Sequence, residues 1–293
     1  MFPPPQAVTD RPSTPARSAL AGRMSQGRTR MSTSEVPAAP HALTAPAAQD
    51  SIKRAEMASP FRGYLKETRR PIYSAALILP FFVVYHVGTL VLNTTYINGA
   101  DALILRLLRP LPVHTMFASA LVLVGLFAFW QVRTRGSWTI HTPKLALLYL
   151  ESFALAGLLF LIFGWLSVHW SLASPARGSQ GRLVSLVLFC GAGIYEELLF
   201  RGVLLGGLLL GFEKLVGLRR VPAAVWATLV GAAVFSLFHY IGPAGDPFTL
   251  RSFVDRMFAG LYFSALFVTR GFGVAAAAHS LYDILVGLVF IFA

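Results

Sequence analysis

The stretch Leu183–Phe212, LVSLVLFCGAGIYEELLFRGVLLGGLLLGF, decides how this 293-residue chain is read. It is apolar over more than the about 20 residues that one membrane crossing needs, yet Glu196, Glu197 and Arg201 sit near its middle. An ionised side chain at membrane depth costs roughly 2.5 to 3.5 kcal/mol on insertion scales. Charges kept there point to a use. Gly191 and Gly193 lie just before the acidic pair, where so long a run is expected to break or tilt.

Working outward, the composition agrees with a membrane protein. Hydrophobic residues make up 55% of the chain and charged residues 13%, with a mean hydropathy of +0.63. An ordinary soluble domain, with about 25% charged residues, is excluded. Besides Leu183–Phe212, apolar runs cover Ile72–Leu92, Val113–Val132, Leu145–Val168, Ala223–Tyr240, Phe253–Val268 and Gly273–Phe292. The predicted fold class is therefore all-α, a polytopic membrane bundle of about seven transmembrane helices over residues 71–293. Asp101–Leu111 alternates leucines with Arg106 and Arg109 and reads as an interfacial segment.

The net charge of +12 follows the topology of a membrane protein, so nucleic acid is not expected as a partner. Arg54, Arg62, Lys66, Arg69 and Arg70 precede the first run, and further cations fall in alternate connections, at Arg133, Arg135 and Lys144 and at Lys214, Arg219 and Arg220. Those segments are predicted to be cytoplasmic. Trp130, Trp165, Trp170 and Trp226 fall near run ends, as an interfacial aromatic belt requires. Residues 1–70 are rich in Pro, Ala, Ser, Thr and Arg and read as a disordered basic tail. That tail lacks the compact apolar core of a signal peptide. Cys190, the single cysteine, allows neither an intrachain disulfide nor a cysteine metal site.

Two more polar blocks interrupt late apolar runs: Phe235-Ser-Leu-Phe-His239 and His279-Ser-Leu-Tyr-Asp283. On a helix Glu197 and Arg201 are neighbours, with the acid on the N-terminal side, so Arg201 can neutralise Glu197. Glu196, turned by about 100°, has no partner on its own helix and is the candidate general base. His279 and Asp283 are also four apart, and the acid is expected to fix the imidazole tautomer. A lone intramembrane His or Asp is as readily a packing or interhelical contact. Occurrence on three helices together raises the case for function.

The three blocks resemble the signature of the CPBP intramembrane proteases, the CAAX-protease and bacteriocin-processing group also called Abi: Glu-Glu-x-x-x-Arg, then Phe-x-x-x-His, then His-x-x-x-Asn or Asp. Glu196, Glu197, Arg201, Phe235, His239, His279 and Asp283 fill its positions in order, and the resemblance covers about residues 182–292. It implies a glutamate-type intramembrane endopeptidase acting on a peptide or protein in a lipid membrane, without a cofactor. On this resemblance Glu196 and His239 activate water, His279 and Asp283 stabilise the oxyanion, and Glu197 with Arg201 holds the geometry. An ionised Asp283 cannot donate to an oxyanion, so its expected task is to orient His279. A prokaryotic plasma membrane is the preferred setting.

Two other readings use the same residues. Two His and one Glu form a recognised catalytic zinc set, which would make the protein a zinc-dependent membrane protease, although no His-Glu-x-x-His helix is present. Alternatively the charges serve helix pairing or proton movement in a scaffold, immunity protein or transporter. Glu151, an acid outside the three blocks, fits that view. Straight alternating spans would place His239 and His279 on opposite sides of the bilayer, so a site containing both predicts helix ends that stop at mid-membrane, with Gly271–Gly273 and 242–245 as the candidate interruptions.

Overall fold

Backbone N–H and C=O groups in lipid must be satisfied within the chain, and in the computed structural model each of the seven apolar runs is accordingly helical over most of its described residues. Residues 61–93, 97–109, 117–170, 181–242 and 245–292 are described. The helices are α1 (Pro71–Val91), α2 (Gly99–Leu108), α3 (Ala118–Thr134), α4 (Thr142–Trp170), α5 (Arg182–Glu197), a π-helical stretch (Leu198–Leu205), α6 (Gly206–Lys214), α7 (Arg220–Phe238), α8 (Leu250–Arg270) and α9 (Phe272–Phe292).

Five of these segments are long and apolar enough to cross a membrane: α1, α4, the continuous run Arg182–Lys214, α7 and α9. The expected count of seven is not met among the described residues. The α3 helix has only 17 residues, and α8 carries Arg251, Asp255, Arg256 and Arg270. The expected break at Gly191 and Gly193 also falls elsewhere. The helix passes through both glycines and changes only after the acidic pair, where it widens into the π-helical stretch.

Those glycines serve contact instead. A Cβ on Gly193 would stand 2.5 Å from the Ser280 backbone N and 2.6 Å from the Ala276 carbonyl oxygen, so α5 and α9 approach at backbone distance. Opposite it, Val274-Ala-Ala-Ala-Ala278 is fully buried, and α9 is packed by α1, α4, α5 and α8. Lipid tails are as apolar as leucine, so helices associate in a membrane through close packing of small residues and internal polar contacts. This contact places Glu196 and Glu197, one turn beyond Gly193, beside His279.

A polar cluster gathers at the starts of α1 and α4. Residues 61–68 are helical, and Glu67 accepts from Lys144 Nζ, Tyr73 Oη (3.0 Å) and Arg70 (3.1 Å). Arg70 also reaches the carbonyls of Ser137 and Thr139, and Arg69 that of Val268. Hence the N-terminal end of α1, the α3–α4 link and the C-terminal end of α8 lie together. Of the tail expected over 1–70, residues 1–60 lie outside the described residues, while 61–68 is built into this cluster. Glu151 belongs here too, bound by Arg270 and by Tyr64 Oη at 2.8 Å. Trp130 and Trp226 are exposed, as a belt requires; the side chains of Trp165 and Trp170 lie outside the described residues.

Two measurements follow from this packing. Gly193→Ala is expected to cost about 1–3 kcal/mol or more through overpacking, read as a lower unfolding temperature in detergent. Gly211→Ala, where a Cβ meets nothing within 4 Å, is expected to be neutral or to stabilise by about 0.5–1 kcal/mol. The hydrogen bond from Lys144 holds the Glu67 carboxyl below the usual carboxylate range, with Tyr73 and Arg70 adding to it. Its stabilisation is complete above the unfolded value of about 4.3 and is lost as pH falls through the lower folded value. Unfolding measured between about pH 5 and pH 3 should therefore show a smaller acid-induced loss in Glu67→Gln than in the wild type.

Candidate active site

Four residues apart on one helix, Glu197 and Arg201 meet as the sequence requires, with Arg201 Nη1 2.8 Å from Glu197 Oε1. Arg201 is only 2% exposed. Its Nη2 donates to the Gly260 carbonyl of α8 at 3.2 Å, and the guanidinium lies 4.4 Å from the centroid of Phe235 and 5.7 Å from that of Phe263. A planar, weakly hydrated cation suits such a site, with the fork toward oxygens and the faces toward aromatic rings.

The same Glu197 oxygen receives a second partner, His279 Nδ1, at 2.8 Å. The His279 ring stacks on Phe263, with centroids 4.3 Å apart and planes 16° apart. A carboxylate only accepts, so Nδ1 carries the proton. Glu197, not Asp283, thus fixes the tautomer and orientation of His279. Asp283 Oδ2 stands 3.6 Å from His279 Nε2, too far for a hydrogen bond. One turn of helix brings Asp283 near that nitrogen, but the interhelical contact is shorter and buried.

Glu196 points away from its neighbour, as their helical offset requires. Its Oε2 lies 3.9 Å from His239 Nε2 and 4.0 Å from His279 Nε2. These gaps exceed a direct hydrogen bond. His239 Nδ1 is 2.9 Å from the Phe235 carbonyl oxygen. A carbonyl cannot donate, so Nδ1 bears hydrogen and Nε2 of the neutral ring presents a lone pair toward Glu196. Beyond His239 the chain folds back, with the Asp246 N–H donating to the His239 carbonyl at 2.9 Å and Arg256 paired with Asp246.

The three blocks therefore converge although His239 caps the C-terminus of α7 and His279 lies two turns inside α9. Arg182–Lys214 has 33 residues, about 50 Å of helix against a hydrocarbon core of about 30 Å. Through Glu196, which lies near both histidines, the end of α7 stands level with the interior of α9. At the candidate interruptions Gly271 (φ 91°) forms the turn between α8 and α9, and Gly242 (φ 94°) follows α7.

Access is graded across the site. The side chains of Glu197 and Arg201 are 0% and 2% exposed, whereas those of His239 and Asp283 are 21% and 23% exposed. The more open side of the site is thus that of His239 and Asp283, with the buried ion pair behind. A surface groove at Phe61, Tyr64 and Glu151, and another between α1 and α3, lie away from these residues.

One contact was not legible in the three blocks. Asn98 Nδ2 donates to Glu196 Oε1 at 3.0 Å. The segment expected at the membrane interface is α2, and its first turn is buried against α5 and α3. There Tyr85 Oη donates to Asp101 Oδ2 at 2.7 Å. Asn98, with an acid three residues later, is a helix-start signal. That signal locates a cap but does not say what the other end of the amide touches.

The zinc set of two imidazoles and a carboxylate is also near at hand. Donors about 2.0–2.1 Å from a tetrahedral zinc stand about 3.4 Å from each other, closer than the separations from Glu196 Oε2 to the two rings. Among the described residues no group of three His, Cys, Asp or Glu has the arrangement of a metal site.

Removing one partner of a buried ion pair costs about 3–5 kcal/mol because the other charge is left uncompensated. Arg201→Met is expected to lower unfolding stability by that amount. Adding Glu197→Gln to the same chain should recover part of the loss.

Residues 178–285 match the family described as type II CAAX prenyl endopeptidase Rce1-like. No curated protein and no solved structure matches. The matched segment contains all six candidate residues, from Glu196 to Asp283, whereas Asn98 lies outside it. Residues 178–285 thus carry a match to the CPBP/CAAX-protease family, and it indicates a CAAX-type intramembrane protease.

Proposed function

We propose that this protein hydrolyses a peptide bond at the membrane with Glu196 as general base. The observation that carries this reading is the approach of Glu196 Oε2 to both imidazole Nε2 atoms, at 3.9 and 4.0 Å. A water in that gap donates one proton to the Glu196 carboxylate, assisted by the Nε2 lone pair of His239. Its oxygen adds to the scissile carbonyl carbon, and the negative charge collects on the carbonyl oxygen. His279, with Nδ1 held by Glu197, donates from Nε2 to that oxyanion as an imidazolium. Three carboxylates, Glu196, Glu197 and Asp283, surround the ring and one arginine, so a charged imidazole offsets part of the excess negative charge. When the C–N bond breaks, the proton taken from water passes to the leaving amine.

Asp283 acts on the electrostatics of His279 Nε2 in this scheme and need not donate to substrate. The family description makes a C-terminal CAAX peptide, with and without a prenyl group, the first substrate to test. The prokaryotic plasma membrane remains the proposed location, on the resemblance alone.

The test is cleavage of such peptides by purified protein in lipid nanodiscs, followed by mass spectrometry. Wild type should release the C-terminal fragment, Glu196→Gln should be slower by about 10²- to 10⁴-fold, and Asp283→Asn should retain substantial turnover. Undiminished cleavage by Glu196→Gln would overturn the assignment. Loss of cleavage on chelation, restored by zinc, would move it to a metal-dependent reaction.

A further inference from the structure

A carboxylate serving as a base toward one bound water must present a defined oxygen. Of the two oxygens of Glu196, only Oε2 faces the histidines, while Oε1 is bound to Asn98 Nδ2 at 3.0 Å. The orientation of the Asn98 amide is fixed independently. Its Oδ1 accepts the backbone N–H groups of Ala100 (2.8 Å) and Asp101 (3.4 Å) at the start of α2. With the oxygen end committed to these two donors, Nδ2 must face Glu196 as a donor. The Asn98 N–H in turn donates to Tyr85 Oη at 3.2 Å, and that hydroxyl donates to the buried Asp101. Asn98 is thus held at its backbone and at one end of its side chain, and its remaining donor is aimed at the candidate base.

We propose that Asn98 is a positioning residue for Glu196, holding Oε1 so that Oε2 is the oxygen presented to water. The inference rests on the reading of Glu196 as the base. It adds to the site a residue from the N-terminal half of the chain, carried by the cap of a short helix outside the segment that matches the protease family. A hydrogen bond from a neutral amide to an ionised carboxylate is of the stronger, charge-assisted kind.

Asn98→Ser separates positioning from folding. Serine caps a helix about as well as asparagine but is too short to reach Glu196. Measured per folded protein in the peptide-cleavage assay, kcat should fall about 10- to 100-fold while KM changes less than about twofold and the unfolding temperature stays close to the wild-type value. Asn98→Asp, which keeps the cap and sets a carboxylate against Glu196, should fall at least as far. A kcat that is unchanged, or that drops only with the folded fraction, overturns the proposal while leaving the general-base reading intact.

The contact can also be read without turnover. If the wild type cleaves no peptide, the general-base reading fails by itself, and the hydrogen bond is tested by an unfolding cycle of Asn98→Ser and Glu196→Gln. Effects that do not add support the contact. Additive effects overturn it.

Discussion

Charge inside lipid has to be neutralised by the protein itself, and one carboxylate oxygen does most of this here. Glu197 Oε1 receives both Arg201 and His279, which ties the long third span to α9 at full burial. Arg201 extends the tie to α8 through the Gly260 carbonyl and to α7 through the face of Phe235. Four helical segments are thereby fixed around a single ion pair. A buried pair of this kind is weak evidence for stability but leaves a costly charge if it is broken, so it favours one arrangement of the helices over its alternatives.

Division of labour between adjacent acids follows from helix geometry. Consecutive residues point about 100° apart, so one of two neighbouring glutamates can be sealed into the structure while the other faces a partly open gap. Glu197 is sealed. Glu196 meets imidazoles whose own hydrogen bonds, to Glu197 and to the Phe235 carbonyl, decide what each Nε2 presents. Through the hydrogen bond from Asn98, α2 reaches Glu196 from outside the segment that matches the protease family.

Much of this was legible in the sequence. The Glu197–Arg201 pair followed from their spacing, and the solitary position of Glu196 followed from the same geometry. Convergence of the three blocks was expected only if some helices ended inside the membrane; the blocks do converge, with His239 at the end of α7 and His279 two turns inside α9. What could not be read depends on contacts between helices distant in the chain. The partner of His279 Nδ1 is Glu197, 82 residues away, although Asp283 is nearer in sequence. Gly191 and Gly193 looked like helix breakers because glycine is a poor helix former, whereas their use is close packing. Seven apolar runs suggested seven crossings, but α8 carries four charges and α3 has 17 residues, so among the described residues only five segments are long and apolar enough to cross. Glu151 looked like an unexplained intramembrane acid until the position of Arg270 was known.

Convergence of one carboxylate with two imidazoles is most directly measured by magic-angle-spinning NMR of the protein in lipid, using carbon-13 glutamate and nitrogen-15 histidine. Dipolar couplings to the Glu196 carboxyl carbon should appear from Nε2 of both His239 and His279, each disappearing when its histidine is replaced by glutamine. Coupling from only one ring, or from neither, would contradict a shared site.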